Sequence, residues 1–161
     1  VNQRIEGLTN GTMNPDTFFV SGSRTFLQKL HDAGIQIYIA SGTDEADVQR
    51  EAGLLGVMPF VRSVKGAPPR QKDCSKVAVI KELLQTHSLS GRQLLVVGDG
   101  KVEISLGNEV NAITIGIASN ELLMDGTPHP KKLEKLRQAG ANYIVPDFNI
   151  LNAQWELFRN S

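Results

Sequence analysis

The run Leu94-Leu95-Val96-Val97 leads directly into Gly98-Asp99-Gly100, and Glu103 follows four positions after Asp99. No other stretch limits the fold as tightly. An unbroken apolar run before a glycine-rich turn is the pattern of a strand buried on both faces in a parallel sheet. Functional groups collect in the crevice above the carboxyl ends of such strands. Two carboxylates flanked by glycines suit a hard cation such as Mg²⁺, which takes oxygen ligands and leaves room for phosphate. The competing local explanation is that Asp99 caps the next helix, with Glu103 in its favourable first turn.

The rest of the chain alternates strand and helix. Turn formers mark Thr9-Asn10-Gly11-Thr12 and Asn14-Pro15-Asp16. Ser21 or Ser23 can cap a helix whose apolar stripe is Phe26, Leu27, Leu30 and Ala33, stopped by Gly34. Ile35 to Ala40 is β-branched and aromatic and reads as a strand, ending at the small polar turn Ser41-Gly42-Thr43. Thr43 or Asp44 then caps a helix with Val48, Ala52 and Leu55 on its buried side. Met58 to Val64 contains a short apolar piece that reads as a strand, and Lys65 to Asp73 reads as a loop. Asp73 or Ser75 caps a helix with the stripe Val77, Ile80, Leu83 and Leu84. After Leu94–Val97 come a short helix from about Glu103, a strand over Ala112 to Ala118, a charged helix from Pro130 to Gly140 and a last strand at Tyr143-Ile144-Val145. An amphipathic segment over 148–159 carries Phe148, Leu151, Trp155 and Phe158. This alternation predicts an α/β class, doubly wound on a parallel sheet.

Composition narrows the function classes. The 161 residues carry 17 basic and 17 acidic side chains, with no long basic run, which argues against a nucleic-acid partner. No apolar run reaches the length of a membrane span and no signal peptide is visible, so no membrane partner is expected. The lone Cys74 allows neither an internal disulfide nor a cysteine zinc site, and suits a reducing, cytoplasmic location. None of His31, His87 and His129 has companions at metal or triad spacing.

Three strand ends carry polar groups: Ser41 and Thr43, then Asp99 and Glu103, then Ser119 and Asn120. Lys76 stands at a helix start between the first two, with Lys72 close by. A hydroxyl, a lysine and two carboxylates above one sheet suit phosphate held beside Mg²⁺.

Here the sequence resembles the haloacid dehalogenase-like (HAD) phosphohydrolases. IYIASGT is similar to their second motif, a strand ending in a phosphate-binding Ser or Thr. CSKVAVIKELL is similar to the third, which places a lysine at a helix start, and VVGDGKVE to the fourth, the acidic Mg²⁺-binding motif, with GDxxxE for the commoner GDxxxD. The resemblance covers about residues 17 to 147. It implies that Ser41, with Gly42 and Thr43, binds the transferring phosphoryl group and that Lys76 stabilises its charge, with Lys72 in reserve. Asp99 would then ligate Mg²⁺ and Glu103 support it. The implied substrate is a small phosphorylated metabolite, sugar phosphates being the superfamily's habit.

The family's nucleophile is an Asp in an hhhhDxDGT motif on a strand that precedes everything described above, and this sequence has no such motif. Asn10-Gly11-Thr12 lacks both aspartates. Leu123-Met124-Asp125-Gly126-Thr127 has Leu123 where the nucleophile belongs and follows the fourth motif, so it reads as a surface turn. Without that Asp there is no aspartyl-phosphate chemistry. The expectation is a HAD-like, Rossmann-type core over 21–161 whose central first strand is missing, with 1–20 the tail of an upstream or cap segment. The chain alone is then inactive, completed by a missing N-terminal segment or by strand-mediated homodimerisation. The competing class is a non-catalytic HAD-like binding or interaction module.

Overall fold

The computed structural model describes residues 20–67, 74–123 and 125–155, together with Glu6 and Thr9. Every strand pairing in it is parallel, as the alternation predicts. The described residues fall into two compact units that part between Val79 and Ile80, with Val20–Ser23 joining the second.

The first unit contains α1 (Ser23–Asp32) from Arg24 onward, β1 (Tyr38–Asp44), α2 (Glu45–Leu54), a 3₁₀ turn at Met58–Phe60 and β2 (Ser63–Ala67). Strand β1 pairs with β2 through Tyr38↔Ser63, Ile39↔Val64 and Ala40↔Lys65, then resumes at Asp44↔Ala67. Val48, Ala52, Val57 and Val64 form the core, with Leu27, Ile39, Leu55 and Val61 packed against it. Burying each of the three valines contributes about 1.5–3 kcal/mol, and Ala52 and the partly buried side chains less.

Two strand limits differ from the sequence reading. The first strand starts at Tyr38 rather than Ile35, because the Ile35 N–H is bonded to the Leu30 carbonyl at the end of α1. The second starts at Ser63, since Met58–Phe60 turns around Pro59, and it continues through Lys65 to Ala67 where a loop was expected. Asp44 takes the N-cap position of α2, yet its side chain makes no cap hydrogen bond.

The second unit holds a three-stranded sheet in the order β3 (Leu95–Gly98), β4 (Ile113–Ile117), β5 (Tyr143–Val145). Helix α4 (Lys101–Glu109) joins β3 to β4, α5 (Pro130–Gln138) joins β4 to β5, and α6 (Asn149–Ala153) follows. Helix α3 (Cys74–Thr86) spans the boundary between units and lends Ile80 and Leu84 to a cluster with Val96, Ala112, Leu94, Leu106 and Val110. A second cluster gathers Ile104, Ala118 and Leu136, each fully buried, with Leu133 and Ile144 against them.

Residues 20–23 dock on α6 within this unit. Ser21 O accepts from Phe148 N at 2.9 Å, and Gly22 O accepts from Asn152 Nδ2 at 2.9 Å. This corrects the expected serine cap of α1: Ser21 Oγ accepts from Asn149 Nδ2 instead, and Ser23 Oγ is buried without a hydrogen-bond partner among the described residues.

Helices α1 to α5 all end in one device. The residue after the cap enters left-handed backbone, its N–H returns to the carbonyl three residues earlier, and the next N–H reaches five back. The left-handed residues are Gly34, Gly56, Ser88, Asn111 and Gly140. Each reversal satisfies carbonyls the helix end would leave open, and turns the chain towards its next segment.

Candidate functional site

At the carboxyl end of β3, Gly98 pairs with Gly116 of β4 and the chain turns through Asp99 and Gly100 into α4. Gly100, not Asp99, takes the N-cap position. Glu103, at the third helical position, sends Oε1 back to accept the Gly100 N–H at 2.9 Å. That is half of a capping box, and it buries the Glu103 side chain to 8% exposure. The expected first-turn role of Glu103 is therefore present. Asp99 is left exposed, its carboxylate directed to other work.

That work involves a residue the sequence reading passed over. Lys132 of α5 places Nζ 3.4 Å from Asp99 Oδ2, 2.6 Å from Glu121 Oε1 and 3.2 Å from Ser119 Oγ. Ser119 Oγ in turn donates to Glu121 Oε1 at 3.3 Å. The hydrogen bond from Lys132 holds the Glu121 carboxyl below its ordinary value, with burial opposing and the ammonium charge and Ser119 assisting. Burial pulls the Lys132 ammonium down, but the Glu121 hydrogen bond and the charges of Asp99 and Glu121 outweigh it and leave it raised. Beside this cluster lies a cleft of about 200 Å³, lined by Val20, Val97, Gly98, Asp99, Ile117, Ser119, Glu121 and Phe148. The strand ends at Asp99 and Ser119 thus meet at one opening, as the sequence predicted for these two.

Ser41, Gly42 and Thr43 belong to the first unit. They are not a free turn but the irregular part of β1, where four residues from Ala40 to Asp44 advance against two of β2. A strand irregularity of this kind re-aims backbone groups at a strand end. Ser41 and Gly42 are half-buried. Lys76 sits in the opening turn of α3, also half-buried and also in the first unit. Lys72 and Asp73 lie outside the described residues.

The other sequence candidates take structural roles. His31 meets Phe60 edge to face at a centroid distance of 6.0 Å. His129 caps α5, its Nδ1 accepting from Lys131 N at 3.2 Å. Asp147 Oδ1 accepts from Asn149 N at 2.8 Å and so opens α6. Asp125 accepts from Thr127 N at 3.0 Å and from the Thr127 hydroxyl around Gly126, with Leu123 exposed beside them. This is the surface turn expected of that DGT sequence.

The cation site can be judged on its donors. Among the described residues no group of three His, Cys, Asp or Glu side chains gathers to hold a metal ion. A cation at Asp99 would complete its shell with water and ligand oxygens, which is how Mg²⁺ is usually held. The Lys132 ammonium lies 3.4 Å from Asp99 Oδ2, so this carboxylate already has a cationic neighbour. With water and ligand oxygens completing the shell, Asp99 would fit a Mg²⁺ ion.

No family model matches the sequence, and no curated protein matches it. Solved structures do. A predicted phosphatase from Clostridium acetobutylicum superposes with a TM-score of 0.67 at 19% identity, over 85% of this chain and 59% of its own. A haloacid dehalogenase-like hydrolase from Streptococcus pneumoniae gives 0.63 at 21% identity, over 84% and 59%. A HAD family hydrolase from Deinococcus radiodurans, with phosphate and sodium bound, gives 0.64 at 16%, over 86% and 59%. The chain spans about three fifths of the length of these structures. No described helix is long and apolar enough to cross a membrane. With its parallel α/β units and these neighbours, the chain is built on the haloacid dehalogenase-like fold.

Proposed function

We propose that this chain carries the phosphate- and cation-binding parts of a Mg²⁺-dependent phosphomonoester hydrolase of the HAD type. The observation that carries the reading is the β3 strand end. An exposed Asp99 between two glycines opens on a cleft, on a fold whose solved neighbours include a predicted phosphatase. On this reading Asp99 holds Mg²⁺, and the ion would neutralise phosphate charge and polarise the reacting oxygen. Glu103 fixes the turn that presents Asp99. Ser41 and the backbone N–H groups of Gly42 and Thr43 bind phosphate oxygens, and Lys76 offsets their charge. The attacking carboxylate comes from no DxDGT motif of this sequence, so the chain by itself binds rather than turns over.

The test is Mg²⁺-dependent hydrolysis of p-nitrophenyl phosphate by the complete gene product and by this chain. Turnover by the complete product that Asp99→Asn abolishes supports the hydrolase. A second reading, a HAD-like module that binds without catalysis, is favoured by the pairing of Asp99 with Lys132. Binding of Mg²⁺ or inorganic phosphate with no turnover by any form selects it.

A further inference from the structure

Lys132 is held by three oxygen-bearing side chains at once, and one of them is the carboxylate assigned above to Mg²⁺. Its side chain is 21% exposed, whereas Asp99 and Glu121 are 59% and 68% exposed. The ammonium is thus fixed in place while its partners face solvent. A lysine in the first turn of α5 also stands at the positive end of a helix dipole, where a cation is disfavoured. Asp99, Glu121 and the Ser119 hydroxyl offset that cost. The shortest contact, 2.6 Å, is to Glu121, and the contact to Asp99 is the longest of the three.

We infer that Lys132 is a built-in cationic competitor at Asp99 that sets how tightly the cleft holds a divalent cation, with Glu121 drawing the ammonium aside. The inference rests on the reading of Asp99 as the Mg²⁺ ligand. A Mg²⁺ ion arriving at Asp99 meets a positive charge within Coulomb range, so its binding is weakened for as long as the ammonium stays beside that carboxylate. Glu121 and Ser119 offer Lys132 a second resting place and reduce the repulsion. Lys132 acts on the site through Asp99 and is a positioning residue.

Calorimetric titration of the whole chain with MgCl₂ tests this. Lys132→Met is expected to lower the Mg²⁺ dissociation constant about three- to fivefold, the range of an exposed ion pair at its upper end. Lys132→Arg keeps the charge and is expected to stay within about twofold of the parent. Glu121→Gln releases the ammonium onto Asp99 and is expected to weaken Mg²⁺ binding about threefold or more. General damage to the fold would weaken binding in every variant, so opposite changes in Lys132→Met and Glu121→Gln are the signature. Unchanged or weaker binding in Lys132→Met overturns the role of Lys132. Should Lys132→Met fail to fold, an unchanged Glu121→Gln overturns it instead. Mg²⁺ binding that survives Asp99→Asn, or that neither the parent nor Lys132→Met shows, removes the reading of Asp99 on which the inference stands.

Discussion

Glu103 Oε1 accepts the Gly100 N–H at 2.9 Å, and a Cβ built on Gly98 would lie 2.4 Å from Glu103 Cγ. Gly98 and Gly100 are therefore a seat for the glutamate behind them. Replacing Gly98 by Ala must displace a buried carboxylate, and a cost of about 1–3 kcal/mol is expected from the overpacking. Glu103→Ala leaves the Gly100 amide without its acceptor and is expected to cost about 1–2 kcal/mol. Glu103→Gln keeps an acceptor oxygen and should lose about half as much or less. Urea unfolding of the three variants checks the order. A neutral Gly98→Ala would show that the carboxylate does not need this seat.

The buried Thr114 ties three segments of the second unit together. Its hydroxyl accepts from Asn142 N at 2.9 Å and has one proton to give to Asn108 Oδ1 or Asn142 Oδ1, both at 3.2 Å. Asn142 Oδ1 also accepts Thr114 N at 2.9 Å, and Asn108 Nδ2 reaches the carbonyls of Ala139 and Gly140 at 2.7 and 2.9 Å. Thr114→Val keeps the shape, removes the hydroxyl and strands these partners, for an expected loss of about 1–3 kcal/mol. Thr114→Ser keeps the hydrogen bonds and gives up one methyl that packs at Gly107, so its loss should be nearer 1 kcal/mol, about that of a buried methylene. Thermal unfolding of the pair separates hydrogen bonding from packing. Equal losses would assign the effect to packing alone.

The charge cluster predicts a pH window. Glu121 is lowered from its ordinary 4.5 by the Lys132 hydrogen bond, so its contribution is present above about pH 4.5 and lost as pH falls through the lowered value. Lys132 is raised from 10.5 despite its burial, so its contribution is complete below about pH 10.5 and lost as pH rises through the raised value. Glu121 is 68% exposed, and solvent screening keeps the effect to about 1 kcal/mol or less. A melting-temperature profile should show a shallower acid limb for Glu121→Gln than for the parent. Parallel limbs would place the acid-sensitive groups elsewhere.

Much of the fold was legible because each element carries its own punctuation. The apolar run at Leu94–Val97 and the β-branched run at Ala112–Ala118 gave β3 and β4 almost to the residue. The limits of β1 and β2 were misplaced because hydrophobicity does not show where backbone groups are already engaged. Ile35 is as β-prone as Ile39 of β1, yet its N–H closes α1. Asp99 stood out in the sequence because it sits between glycines directly after an apolar strand. Lys132 was missed because it reads as one more charge on a charged helix. The available signal was Pro130-Lys131-Lys132, a helix opening with two cations and no acid in its first turn. That arrangement opposes the dipole and calls for an anionic partner from elsewhere. Which carboxylate answers is a tertiary fact, beyond the reach of spacing.

The helix ends give the last prediction. Ser88 and Asn111 hold φ values of 52° and 60° at the position that Gly34, Gly56 and Gly140 fill in the other three helices. Left-handed backbone strains a residue with a Cβ by about 1–2 kcal/mol, less for Asn, whose side chain bonds locally. Glycine would relieve that strain, while its freer unfolded chain returns about 0.4–1 kcal/mol of it. Ser88→Gly is therefore expected to stabilise the protein by about 0.5–1 kcal/mol, and Asn111→Gly by less. The reverse change, Gly34→Ala, meets none of the described residues within 4 Å, so its expected loss of about 1 kcal/mol is conformational. Denaturant midpoints of the three variants should fall in that order. A destabilising Ser88→Gly would mean that the serine side chain holds the turn by a contact worth more than the strain it carries.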